Sequence, residues 1–105
     1  MLVNLTPHEI KIIKENEAWS IPPSGMVARC RQEEKVIEQL EGKIPVTQLE
    51  LGEVQDLPEP KQGVVYIVSH IVLQKCPERR DLVKPGRVVR DEEGRIIGCC
   101  CLSVL

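Results

Sequence analysis

Phenylalanine is absent from these 105 residues, and Trp19 and Tyr66 are the only aromatic side chains. So few rings offer no platform on which the bases of a single-stranded nucleic acid would stack. The core must then come from Val, Ile and Leu, which suits a β-rich domain. An excess of positive charge is missing too. Lys and Arg number 14 against 16 Asp and Glu, a formal net charge of −2. The basic face of a general DNA or RNA binder is therefore not expected.

No apolar run approaches the length of a membrane span, and MLVNLTPHE lacks the layout of a signal peptide. The expectation is a soluble, cytoplasmic protein with no membrane partner. A disulfide framework is also missing, because the five cysteines are odd in number and three are consecutive. A reducing compartment is the simpler reading. There is no Gly-rich phosphate loop, since Glu41-Gly42-Lys43 lacks the upstream glycine and following Ser/Thr of a Walker A motif.

What is present suffices for one domain, residues 1–105, with little stability margin at this size. At 42% hydrophobic and 29% charged residues the chain should fold rather than stay disordered. The first third reads as short strands. Leu2 to Leu5 is one, broken by Thr6-Pro7. Glu9 to Lys14 alternates, with Ile10 and Ile12 on one face, and Ala18 to Ile21 returns after Glu15-Asn16-Glu17. Pro22-Pro23-Ser24-Gly25 is turn chemistry, and Met26 to Arg31 reads as another strand.

The stretch EEKVIEQLEGKIPVTQLEL fits two structures. Val36, Ile37 and Leu40 have helical spacing, but the segment also fits strands turning at Glu41-Gly42-Lys43. Pro45 and the neighbouring strands favour the hairpin. Val64 to Val68 is the best strand in the chain, β-branched and suited to burial on both faces. Ser69 is placed to cap a two-turn helix that ends at Pro77. Pro77 to Asp81 reads as a charged loop and Lys84-Pro85-Gly86 as a turn. Arg87 to Arg90 and Arg95 to Leu102 then pair around Asp91-Glu92-Glu93-Gly94, with Gly94 at the left-handed position. The expected fold class is α+β, mostly antiparallel β-sheet and hairpins with one short helix.

The cysteine run Cys99-Cys100-Cys101 lacks the paired spacing of a zinc site. On a continuous strand Cys99 and Cys101 would share one face and Cys100 would take the other. Small apolar filler is the preferred reading of all three. The two histidines, His8 and His70, are too few and too separate to declare a metal site. Turn-stabilising or surface roles are the plainer reading of each.

The arginines carry more information. Arg79 and Arg80 follow the helix, Arg90 and Arg95 bracket the last hairpin turn, and Arg29 lies in an early strand. Guanidinium forks match phosphates. The Ser69-His70 helix start adds main-chain donors suited to an anion. Local ion pairs are the competing reading of the same residues.

At VNLTPHEI, PPSGMVAR, GVVYIVSHIV, PERRDLVKPG and VVRDEEGRIIGC the chain resembles a family of small bacteriophage and prophage proteins. That family looks like the Thoeris anti-defence sponge proteins, which sequester cyclic ADP-ribose-type immune signals. The resemblance implies a non-enzymatic binder in the host bacterial cytoplasm, a homo-oligomer (a hexamer) with nucleotide pockets at subunit interfaces. It implies no cofactor, no metal and no DNA or RNA polymer as partner. It further implies that the segments His70 to Arg80 and Arg90 to Arg95 close over the ligand. Ser69, His70, Arg79, Arg80, Arg90, Arg95 and Arg29 would bind it, with arginines on the pyrophosphate and Asp91 on a ribose hydroxyl. Without phenylalanine, an adenine would stack on Tyr66, Trp19 or an arginine plane. Two other readings stay open: a nucleotide-degrading enzyme using a Cys or His, and an inhibitor that docks on a host defence enzyme by a strand edge.

Overall fold

The strand read with most force, Val64 to Val68, is the centre of the molecule. In the computed structural model, which describes residues 1–105, strand β6 covers Val65–Ile67. Alternation sends its neighbours to opposite sides. Tyr66 and Val68 join Leu5, Ala28, Val72, Leu73 and Leu82 in one buried cluster, while Ile67 joins Ile10, Ile12 and Cys99 in another. Ile67, Val68 and Val72 have no exposed surface at all. Burying each such side chain is worth about 1.5–3 kcal/mol.

Five further strands precede β6: β1 (Leu2–Asn4), β2 (Ile10–Lys14), β3 (Glu17–Ile21), β4 (Arg29–Leu40) and β5 (Ile44–Gln55). After it come α1 (His70–Lys75), β7 (Leu82–Pro85), β8 (Val88–Arg90), β9 (Ile96–Cys99) and β10 (Leu102–Ser103). They form sheets ordered β1-β6-β7-β10 and β3-β2-β9-β8, plus the two-stranded β4-β5. The α+β class holds. The hairpins are antiparallel as expected, whereas strands that meet across the core, β1 with β6, β6 with β7 and β2 with β9, run parallel. The β6-α1-β7 segment is a short parallel crossover, and its helix covers the sheet with Val72 and Leu73. Ser69 caps that helix: its hydroxyl accepts the Val72 N–H at 3.3 Å.

Three expectations need correction. Strand β4 begins at Arg29 rather than Met26, because the Ser24 hydroxyl holds Met26 in a local turn and Ala28 donates to the Leu5 carbonyl. Lys84 and Pro85, read as part of a turn, belong to a strand over Leu82–Pro85, and Pro85 is tolerated at its end. The final strand does not run through to Leu102. It stops at Cys99, and the chain then crosses to the other sheet, where Leu102 and Ser103 pair with Pro85 and Lys84. The crossing is pinned where Cys100 donates to the Arg87 carbonyl at 2.9 Å and Gly86 donates to the Cys101 carbonyl at 2.8 Å. The two-face alternation expected for the three cysteines is lost there. Cys99 is buried core, but Cys100 and Cys101 are half-buried and line one concavity together.

The hairpin reading of the ambiguous segment is correct, and the hairpin is longer than the sequence suggested. Strands β4 and β5 each run 12 residues, and Glu41 and Gly42 take left-handed conformations at the turn. Only the base is anchored, where Cys30 and Val54 pack on the core. The remainder projects, giving a radius of gyration of 16.7 Å against roughly 13 Å expected for a compact chain of this length.

Candidate functional site

The parallel order β1-β6-β7 brings the carboxyl ends of three strands to one side, the place where open parallel sheets hold ligands. Each strand is followed by a short polar segment. Thr6, Pro7 and His8 follow β1, Ser69 and His70 follow β6, and Gly86 follows β7. Thr6, His8, Ser69, His70, Pro85 and Gly86 line a single crevice of about 410 Å³. That volume lies in the range of small-molecule sites. Its other wall comes from the second sheet, with Ile10, Val88, Ile96, Gly98 and Cys99 on apolar surface and Glu9 and Lys11 at the rim.

The NLTPH motif builds the first of these loops. Asn4 is buried, and all its side-chain groups are used. Its amide donates to the His8 carbonyl at 2.9 Å and the Ile21 carbonyl at 3.1 Å, while its oxygen accepts the Thr6 N–H at 2.9 Å. The Thr6 hydroxyl lies 2.7 Å from the same oxygen. A buried amide with every group paired fixes a loop in one shape. It is the His8 carbonyl that stabilises the turn, which leaves the imidazole on the crevice wall. His70 faces the same crevice from the first helical position.

The expected binding residues do not gather in one place within a single chain. Ser69 and His70 line the crevice; Arg79 and Arg80 line another concavity with Cys76, Glu78 and the C-terminal Val104 and Leu105. Arg29, Arg90, Asp91 and Arg95 line neither. Arg79 is an internal clamp. Its Nε and a terminal nitrogen each donate to Asp81 at 2.8 Å, and that nitrogen also donates to the Pro58 carbonyl at 3.0 Å. The hydrogen bond to Asp81 raises the Arg79 pKa, and the same bond holds the Asp81 carboxyl below its ordinary value.

The last hairpin turn is likewise self-satisfied. Asp91 accepts the main-chain N–H groups of Glu93 and Arg95 and the Arg95 side chain, each at 2.9 Å. The Arg95 N–H is the main reason the Asp91 carboxyl titrates below its usual range. Arg90 donates to the Gly94 carbonyl at 2.9 Å. This turn closes the β8–β9 hairpin, which supplies Val88 and Ile96 to the crevice. Arg80 forms no ion pair and is exposed. Arg29 stands at the arm's base opposite Gln55.

The helix start contributes less than the sequence suggested. With six residues it has little dipole, and the Val72 N–H is already taken by Ser69. Sequence reasoning missed His8, Lys11 and Gly86 as crevice residues. The missing signal was topological: parallel pairing of β1, β6 and β7 sets their following loops, with His8 and Gly86, side by side, and Lys11 comes from β2, which pairs in parallel with β9. Comparison of the chain with protein-family models, with curated proteins and with solved structures finds no match.

Proposed function

We propose that this protein is a non-enzymatic, phage-encoded anti-defence sponge that captures a nucleotide-derived immune signal, a cyclic ADP-ribose isomer or a cyclic oligonucleotide. The supporting observation is the crevice at the carboxyl ends of β1, β6 and β7, with its apolar surface, the polar groups of His8, Ser69 and His70, and Glu9 and Lys11 at its rim. An apolar floor suits the faces of a base and ribose, and lysine and imidazole donors suit phosphate oxygens. In this reading the Arg90–Arg95 turn closes over the mouth from the adjoining hairpin. Arg29 and Arg80 meet ligand only where a second subunit is docked.

Assembly into a homo-oligomer is part of the same proposal. The projecting hairpin leaves Val36, Ile37, Leu40, Ile44 and Leu49 about half exposed, and an isolated two-stranded hairpin is marginal in water. A neighbouring subunit covering these side chains accounts for their presence. Reciprocal arms would also bring subunits together around the crevices.

The test is recovery of ligand. Protein loaded with a cyclic ADP-ribose isomer, washed and then heat-denatured, is expected to return the ligand intact. A linear or cleaved nucleotide in the supernatant would establish turnover and overturn the sponge reading. His70→Ala should raise Kd about tenfold, the usual scale for losing a hydrogen bond to a charged group.

A further inference from the structure

The crossing at Cys100-Cys101 opens on a second concavity, on the other side of the Gly86-Arg87 corner from the crevice. Its volume is about 780 Å³, and both thiols line it together with Arg87, Ile13 and the Lys14-Glu15-Asn16-Glu17 turn between β2 and β3. The other three thiols are differently placed. Cys99 is buried against Lys11, and Cys30 packs at the arm's base. Cys76 is pushed up in pKa by burial and by Glu78.

Cys101 is held tightly. A Cβ at Gly86 would come within 2.5 Å of both the Cys101 sulfur and the Ser103 hydroxyl, so only glycine leaves room for this packing. Several groups around the sulfur favour a thiolate. The Arg87 main-chain N–H does most to lower the Cys101 pKa, against some desolvation, and the Ser103 hydroxyl, the Cys100 thiol and the Arg87 charge add to it. Thiolates, not thiols, attack disulfides.

We propose that Cys101 is a thiol-exchange site for a small zwitterionic peptide disulfide of the glutathione-disulfide class. The Cys101 thiolate attacks one sulfur of the disulfide. The old S–S bond breaks, a new one joins Cys101 to half of the reagent, and the other half leaves as a thiolate that takes a proton from water. Lys14 and Arg87 are placed for the peptide's carboxylates, and Glu15 and Glu17 for its ammonium group. Cys100 does not resolve the product. Consecutive Cα atoms stand about 3.8 Å apart, closer than an unstrained disulfide allows. The mixed disulfide therefore accumulates.

The test uses the reduced full-length protein, glutathione disulfide at neutral pH, and intact-mass measurement with peptide mapping. One adduct on Cys101 is expected, absent in Cys101→Ser and retained in Cys100→Ser. Arg87→Gln should slow its formation roughly threefold, because a cationic partner for the peptide's carboxylate is lost. Glutathione disulfide should saturate the reaction, while uncharged hydroxyethyl disulfide should not. Iodoacetamide labelling of the unmutated protein should show Cys101 reacting at lower pH than Cys76. An adduct scattered over several cysteines, a Cys100–Cys101 disulfide in its place, or equal kinetics for the two reagents would each overturn the proposal.

Discussion

Strands β6 and β4 are both made of β-forming sequence, yet they live in opposite surroundings. In β6 Tyr66 and Ile67, with Val68 beyond them, are buried on two faces between two clusters, and parallel partners stand on either side. In β4 twelve residues have one partner strand, and all but Cys30 are exposed. The first region is where the fold gets its stability. The second contributes little to it, although its Val36, Ile37 and Leu40 are as apolar as anything in the core. Apolar residues kept at a site that does not stabilise the monomer point to contact with something else. The contrast therefore separates the part that makes the crevice from the part proposed to make an assembly.

Four variants probe that contrast. Leu82→Ala, at a position 1% exposed in β7 beside β6, should cost about 2–5 kcal/mol in urea unfolding, the usual cost of a core cavity. Asp81→Asn should cost about 1.5–3 kcal/mol at neutral pH by weakening the bidentate clamp on Arg79. Because the folded carboxyl titrates below its unfolded value, its contribution is complete above pH of about 4. It fades as pH falls through the depressed folded value. The gap between Asp81→Asn and the unmutated protein should accordingly close in acid. Gly94→Ala, at φ +83 with open space around it, should cost about 1 kcal/mol through backbone strain alone. Leu40→Ser with Ile44→Ser, at the arm's tip, should change unfolding of dilute protein by less than about 0.5 kcal/mol. The same pair should lower the assembly mass at high concentration. A loss of several kcal/mol there in dilute protein would erase the distinction between body and arm.

Legibility followed the same division. Local chemistry could be read directly. Ser69 caps its helix, Gly94 sits in its left-handed turn, and Ile10 and Ile12 share a buried face because each depends on near neighbours only. The arm was ambiguous for a physical reason: Val36, Ile37 and Leu40 satisfy helical and strand spacing alike when no core selects one. Long-range pairing was not readable. Nothing local in Leu2–Asn4 announces a parallel partner at Val65–Ile67, so the crevice that this pairing creates was invisible. The arginines misled in the other direction. Arg79, Arg90 and Arg95 are conspicuous in sequence, but each has a partner within its own loop or one close by. The Cys100-Cys101 crossing was hidden because alternation assumes a strand that continues.

We propose that the crevice, and not the arginine-rich loops of a lone chain, recognises a nucleotide. Native mass spectrometry of the protein with a cyclic ADP-ribose isomer tests it most directly. The account predicts an oligomer carrying intact ligand, with the ligand mass lost in a His8→Ala, Lys11→Ala, His70→Ala triple variant that keeps its assembly. Undiminished ligand on that variant would contradict it.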